Sequence, residues 1–220
     1  MTTIAIVGAG AGVGAAVARR FGREGFAVAL LARDQARLDT LARALTDEGI
    51  TARGFAADVR DRAGLRDALA AAAAELGPVQ VLQFSPIPQR EFLKPLTDTT
   101  GDDLAAALDF SVLGPKTAVD AVLPGMRAAG AGTVVLVNGG TAVRPRADYA
   151  GTSVAFAAES VYAQLLHEVL APEGIHVTQL VVPGAIREDD PQTNPTTIAD
   201  VVWGLHERRE GFRHFLTPMP

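Results

Sequence analysis

The chain has 220 residues, a formal net charge of −5 and no cysteine. The missing cysteines exclude disulfides, thiolate metal centres and a catalytic thiol, and an acidic balance without a Lys/Arg block argues against a nucleic-acid surface. No apolar run approaches the length of a membrane helix and no leader precedes the first strand, so a cytoplasmic protein without membrane contact is expected; the length suits one domain over 1–220, able to bury roughly 70% of its unfolded surface.

In chain order, "TIAIV" (3–7) reads as a buried strand. It runs into Gly8, Gly10, Gly12 and Gly14, and a helix follows from Gly12 to about Glu24. "AVALLA" (27–32) is the next strand, with Asp34 placed to cap a helix whose Leu38, Leu41, Ala42 and Leu45 recur at helical spacing up to Gly49. "ARGFAA" (52–57), "VQVLQF" (79–84), "GTVVLVN" (132–138) and "IHVTQLVV" (175–182) continue the strands, and "FRHFLT" (212–217) is a short seventh. Residues 61–76, 102–129, 149–171 and a stretch around Ile198–Leu205 read as helices, and 187–197 reads as a polar loop beside the site. Continuous apolar strands alternating with helices predict an α/β fold of the Rossmann type: a doubly wound parallel sheet in three α/β/α layers, as a single domain.

The glycine turn carries the first chemical signal. Gly8 permits a tight turn out of the strand, and Gly12 and Gly14 let backbone and helix approach a pyrophosphate, with the helix N-terminus aimed at it. The turn follows a strand and opens a βαβ unit, which is the context a dinucleotide site needs. The tip of the second strand reads Ala32-Arg33-Asp34. The acidic slot for a ribose hydroxyl is Ala32, and Arg33 suits a 2′-phosphate, so NADP(H) is expected, with NAD as the alternative. Asp58-Val59, ending the third strand, is placed to meet the adenine.

These motifs, with "LPGM" (123–126), "GTVVLV" (132–137), "LAPEGIHV" (170–177) and Pro183-Gly184, resemble the short-chain dehydrogenase/reductase family over nearly the whole chain. The resemblance implies cofactor contacts from Gly8, Gly10, Gly12, Val13, Gly14, Arg33, Asp58, Val59, Ser85, Pro183 and Gly184, and a homodimer or homotetramer through the helices at 102–129 and 149–171. It also implies a serine, a tyrosine, a lysine four residues later and an asparagine as catalytic groups. Register from both flanks puts those positions on Gly139, Thr152, Phe156 and Ser111. All four have changed. Tyr149 stands three residues before the tyrosine position with Ser153, not lysine, four residues on.

An unassisted tyrosine titrates near 10, and an aliphatic hydroxyl is too weak an acid to replace it. Reduction of a simple ketone is therefore expected to be poor, and a small conjugated carbonyl or quinone-like substrate is favoured. Tyr149, Thr152, Asn138 and Ser111 are the candidate catalytic groups. The alternatives are a non-redox enzyme on the same fold (isomerase, dehydratase, or oxygenation of an activated aromatic) and a non-catalytic NADP(H)-binding protein. The four histidines, His167, His176, His206 and His214, lack an acid at metal-ligand spacing, and no metal is expected.

Overall fold

A computed structural model describes residues 2–219. Its seven strands are β1 (Thr3–Val7), β2 (Ala27–Ala32), β3 (Ala52–Ala56), β4 (Val79–Phe84), β5 (Gly132–Gly139), β6 (Ile175–Val182) and β7 (Arg213–Phe215). The helices are α1 (Val13–Arg23), α2 (Gln35–Asp47), α3 (Arg62–Leu76), α4 (Gly101–Leu108), α5 (Gly114–Ala129), α6 (Ala150–Leu170) and α7 (Pro195–Arg208). All strand pairs are parallel, in the order β3-β2-β1-β4-β5-β6-β7. The order reverses between β1 and β4, which opens a crevice at their carboxyl ends.

Strand parity sorts the core into two layers. Ile4, Ile6, Val28, Leu30 and Val135 face α1, α2 and α7, where they meet Val17, Phe21, Leu38 and Val202. Ala5, Val7, Leu31, Leu82 and Leu136 face α3, α5 and α6. Buried on both faces, the sheet has no use for polar alternation, so its strands read as apolar runs.

Local chemistry sets the helix ends. Asp34 Oδ1 accepts from Arg37 N at 3.1 Å and Asp61 Oδ1 from Gly64 N at 3.1 Å, so both are helix caps. The stretch read as one helix over 102–129 is instead two, joined by a wide π-helical turn at Asp109–Leu113. Gly114 follows that turn because a Cβ there would lie 3.1 Å from Val59 O and 3.2 Å from the Phe84 ring. The turn brings Phe110 to the crevice. Helix α6 begins one residue later than expected, with Tyr149 as its N-cap, and the last residues of the 187–197 loop already belong to α7. Among the described residues no helix is long and apolar enough to cross a membrane.

Candidate active site

The glycine turn and the tips of β2 and β3 enclose a cleft of about 270 Å³. Gly8 has φ +96°, and a Cβ on it would sit 2.5 Å from Pro86 N, so no other residue fits there without moving the β4 end. A Cβ on Gly14 would come within 2.9 Å of Ala9 Cα. Gly10 and Gly12 face open space. As N-cap, Gly12 offers no side chain to the first turn of α1; Ala15 N–H donates to Gly10 O at 2.9 Å, which leaves the Val13 and Gly14 N–H groups for a ligand.

Of the expected cofactor contacts, the structure gathers Gly8, Gly10, Arg33, Asp58 and Val59 around this cleft. Asp58 Oδ1 accepts from Arg60 N at 2.9 Å. Ser85 is turned back toward the sheet, where its hydroxyl accepts from Gln83 Nε2 at 2.8 Å. Gly12, Val13, Gly14, Pro183 and Gly184 stand outside the cleft lining. Gly184 is exposed with φ +115° and starts the loop into α7. That loop returns to the glycine turn, where Glu188 and Asn194 border a second hollow with Ala11.

Sequence reasoning missed Arg37, Gln89 and Phe110, which also line the cleft. Arg37 lies one helical turn beyond Arg33, a spacing visible in the sequence. Its side chain is 89% exposed and its Nε stands 3.2 Å from Asp34 Oδ2. Phe110 reaches the cleft only through the π-turn, for which the sequence holds no clear signal.

The second half of the site lies where β5 meets α6. A Cβ on Gly139 would touch the Phe156 ring at 3.6 Å, so the positions matched to the serine and lysine of the family do face each other. Phe156 is 7% exposed and Thr152 3%. The Thr152 hydroxyl donates to Tyr149 O at 3.2 Å. Ser153 Oγ accepts from Arg146 N at 2.9 Å and donates to Arg146 O at 3.0 Å, which closes the loop ahead of α6. The Arg146 guanidinium lies over the Tyr149 ring, 4.8 Å from its centre. Ser111 is 3% exposed within the π-turn.

Asn138 departs from its expected place as a donor to substrate. Strand parity turns it toward α6, where it is 5% exposed and accepts from Gln179 Nε2 at 3.0 Å. It is sealed inside the protein and cannot reach a substrate oxygen. The histidines lie elsewhere: His206 Nδ1 is 2.9 Å from Thr133 Oγ1, and burial holds the His176 imidazole down at about 4. No group of three metal-ligating side chains occurs among the described residues.

The family model for short chain dehydrogenases matches residues 2–196, and the chain belongs to that family. A dehydrogenase subunit from Thauera aromatica, BbsC, named for (2S)-[(R)-hydroxy(phenyl)methyl]succinyl-CoA, is 31% identical over 203 residues, covering 88% of this chain and 76% of its own length. The crystal structure of a short-chain dehydrogenase from Rhodopseudomonas palustris superposes with a TM-score of 0.87 at 24% identity, covering 99% of this chain and 98% of the other. A metagenomic short-chain oxidoreductase in complex with NADP superposes at 0.84 with 25% identity, covering 99% and 96%.

Proposed function

We propose that this chain is an NADP(H)-dependent oxidoreductase with a non-standard active site, acting on a small conjugated carbonyl or quinone-like molecule. The observation that carries the cofactor choice is the tip of β2. Asp34, the one acid there, is occupied as the cap of α2 and by Arg37, while Arg33 and Arg37 share the cleft. Two guanidinium groups beside a capped carboxylate suit a phosphate monoester better than a bare ribose hydroxyl. The NADP-bound relative supports the same reading.

The residues present fit such a dinucleotide. Gly8 and Gly14 allow the close turn, and the open faces of Gly10 and Gly12 leave room for a diphosphate over the start of α1. When bound, the nicotinamide supplies or accepts a hydride. The protein's part is binding, orientation and exclusion of water.

On the substrate side, Gly139 and Phe156 form an apolar wall, with the Tyr149 phenol and the Thr152 hydroxyl as the nearest proton-bearing groups in the sequence. A quinone or enone suits this wall, because its reduced form is already stabilised and needs little acid help. The occupied Thr152 hydroxyl and the inward Asn138 favour one other reading, binding of NADP(H) without hydride transfer. Self-association through α6 is also proposed: Val161, Leu165 and Val169 form an apolar stripe 59%, 56% and 64% exposed.

NADPH oxidation against a panel of quinones and simple ketones, with calorimetric NADPH binding, tests the proposal. Turnover confined to the quinones is the expected result. Equal turnover of simple ketones overturns the substrate class. Tight NADPH binding with no turnover moves the assignment to the binding protein.

A further inference from the structure

The segment that follows β7 reaches a part of the site far from it in sequence. β7 is a three-residue edge strand, with Arg213, His214 and Phe215 set beside Gln179, Leu180 and Val181 of β6. Leu216 N–H extends the ladder by donating to Val181 O at 2.9 Å. Its side chain packs on the core layer that holds Leu180 and Val182. Thr217 and Pro218 then carry the chain across the carboxyl end of β6. A Cβ on Gly140 would lie 3.4 Å from Met219 Cε and 3.5 Å from Pro183 Cα. The Met219 methyl thus faces the bare side of Gly140, beside the Gly139–Phe156 wall and the start of the Pro183-Gly184 loop.

A chain of buried hydrogen bonds ties the same segment to the same strand end. Arginine can only donate, so Arg213 orients it. Arg213 Nε donates to Gln179 Oε1 at 2.9 Å and Nη2 donates to Ser160 Oγ at 2.6 Å. Gln179 turns its amide nitrogen the other way and donates to Asn138 Oδ1 at 3.0 Å. Asn138 immediately precedes Gly139. The path of residues 213–219 over β5 and β6 is therefore held at both ends, by bonds through Gln179 and by the Met219 contact.

Two methionines stand over glycines of this strand and its continuation, and they differ. At the start of β5, Met126 is 0% exposed, and a Cβ on Gly132 would lie 2.5 Å from its sulfur. That side chain is locked in the interior. At the other end, Met219 is half-buried and meets the Gly140 position only at ordinary contact distance. It keeps surface that a ligand can cover and slack to shift when one does. Methionine has three rotatable bonds and a polarizable sulfur, and it packs well on the edge of a flat conjugated ring.

We propose that Met219 is a specificity-determining residue: its thioether forms an adjustable side of the substrate pocket, closing on a conjugated ring bound against Gly139, Gly140 and Phe156. The proposal rests on the reading of the Gly139–Phe156 wall as the substrate's. It adds that the width of the accepted ring is set by a residue 79 positions beyond Gly140, on the far side of β6.

The test compares the full-length parent with Met219→Leu and Met219→Ala. NADPH oxidation is measured with menadione, which has two fused rings, and with phenanthrenequinone, which has three. Met219→Ala is expected to raise the KM for menadione about 2–10-fold, the range of a lost sulfur–ring contact, while the KM for NADPH holds. In kcat/KM the wider quinone gains on menadione by about the same factor, because the shortened side chain leaves room. Met219→Leu, which keeps the apolar bulk, recovers most of the menadione KM. An unchanged ratio between the quinones in Met219→Ala, or an equal rise in the KM for NADPH, overturns the proposal.

A second readout needs no turnover. In protein carrying carbon-13 methionine methyls, the signal that Met219→Leu removes is expected to move when menadione is added with NADP+ present, while the Met126 signal stays. If menadione is not reduced and that signal still moves, the oxidoreductase reading fails and the pocket side stands. If the signal is unmoved up to the solubility of menadione, the proposal falls, whatever the turnover assay gives.

Discussion

The two halves of the crevice are built on opposite plans. Around β1–β3 the structure is open: glycines without side chains, an uncapped helix start and two exposed arginines beside an occupied acid. Around β5 and α6 it is closed: the Phe156 ring against Gly139, Thr152 bonded to its own helix start, and a polar cluster turned inward. A ligand-binding surface keeps its hydrogen-bonding groups free, whereas the second half has satisfied most of its own. The open half leaves backbone and cationic groups for a ligand, and the closed half turns most of its polar groups inward.

The sharpest way to break that contrast is to rebuild the second half. A Cβ at Gly139 meets Phe156 only at ordinary contact distance, so Gly139→Ser has room; the triple variant Gly139→Ser, Thr152→Tyr, Phe156→Lys adds two larger changes at buried positions, and its fold is checked by circular dichroism before assay. Its rate of simple ketone reduction with NADPH should rise about 10²–10⁴-fold over the parent. No gain would mean that the wall differs from a working site by more than its side chains.

Next in size, Gly8→Ala attacks the open half. With φ +96° and a Cβ 2.5 Å from Pro86 N, it should cost about 2–4 kcal/mol in urea unfolding and weaken NADPH binding. Gly10→Ala, whose Cβ meets nothing, is the matched control and should unfold within about 1 kcal/mol of the parent.

Replacing Arg33 and Arg37 by alanine should weaken NADPH binding by about 1.5–3 kcal/mol each and leave NADH nearly unchanged, read by calorimetry at fixed salt. Equal losses for both dinucleotides would remove the 2′-phosphate from the argument. Smallest in its effect on the crevice, Leu165→Glu on the exposed stripe of α6 should shift sedimentation toward monomer while NADPH affinity stays within about twofold.

Much of this molecule was legible before its structure. The strands fall within a residue or so of the apolar runs that mark them, because a sheet covered on both faces requires such runs. Asp34 was legible as a cap from its place before a periodic helix. The π-turn was not legible, because a wide turn leaves the apolar periodicity of 102–129 almost intact. Arg37 was legible in spacing and went unread.

Sequence alone determined the order of strands and helices and the glycine turn, since these depend on local periodicity and backbone freedom. Tertiary structure alone decided where Asn138 points, that Arg33 and Arg37 share one cleft, and that Asn138 ends a bonded chain running from Arg213 through Gln179. Those facts arise from strand parity and from contacts between residues far apart in the chain. No local pattern encodes which distant donor a buried polar group will meet.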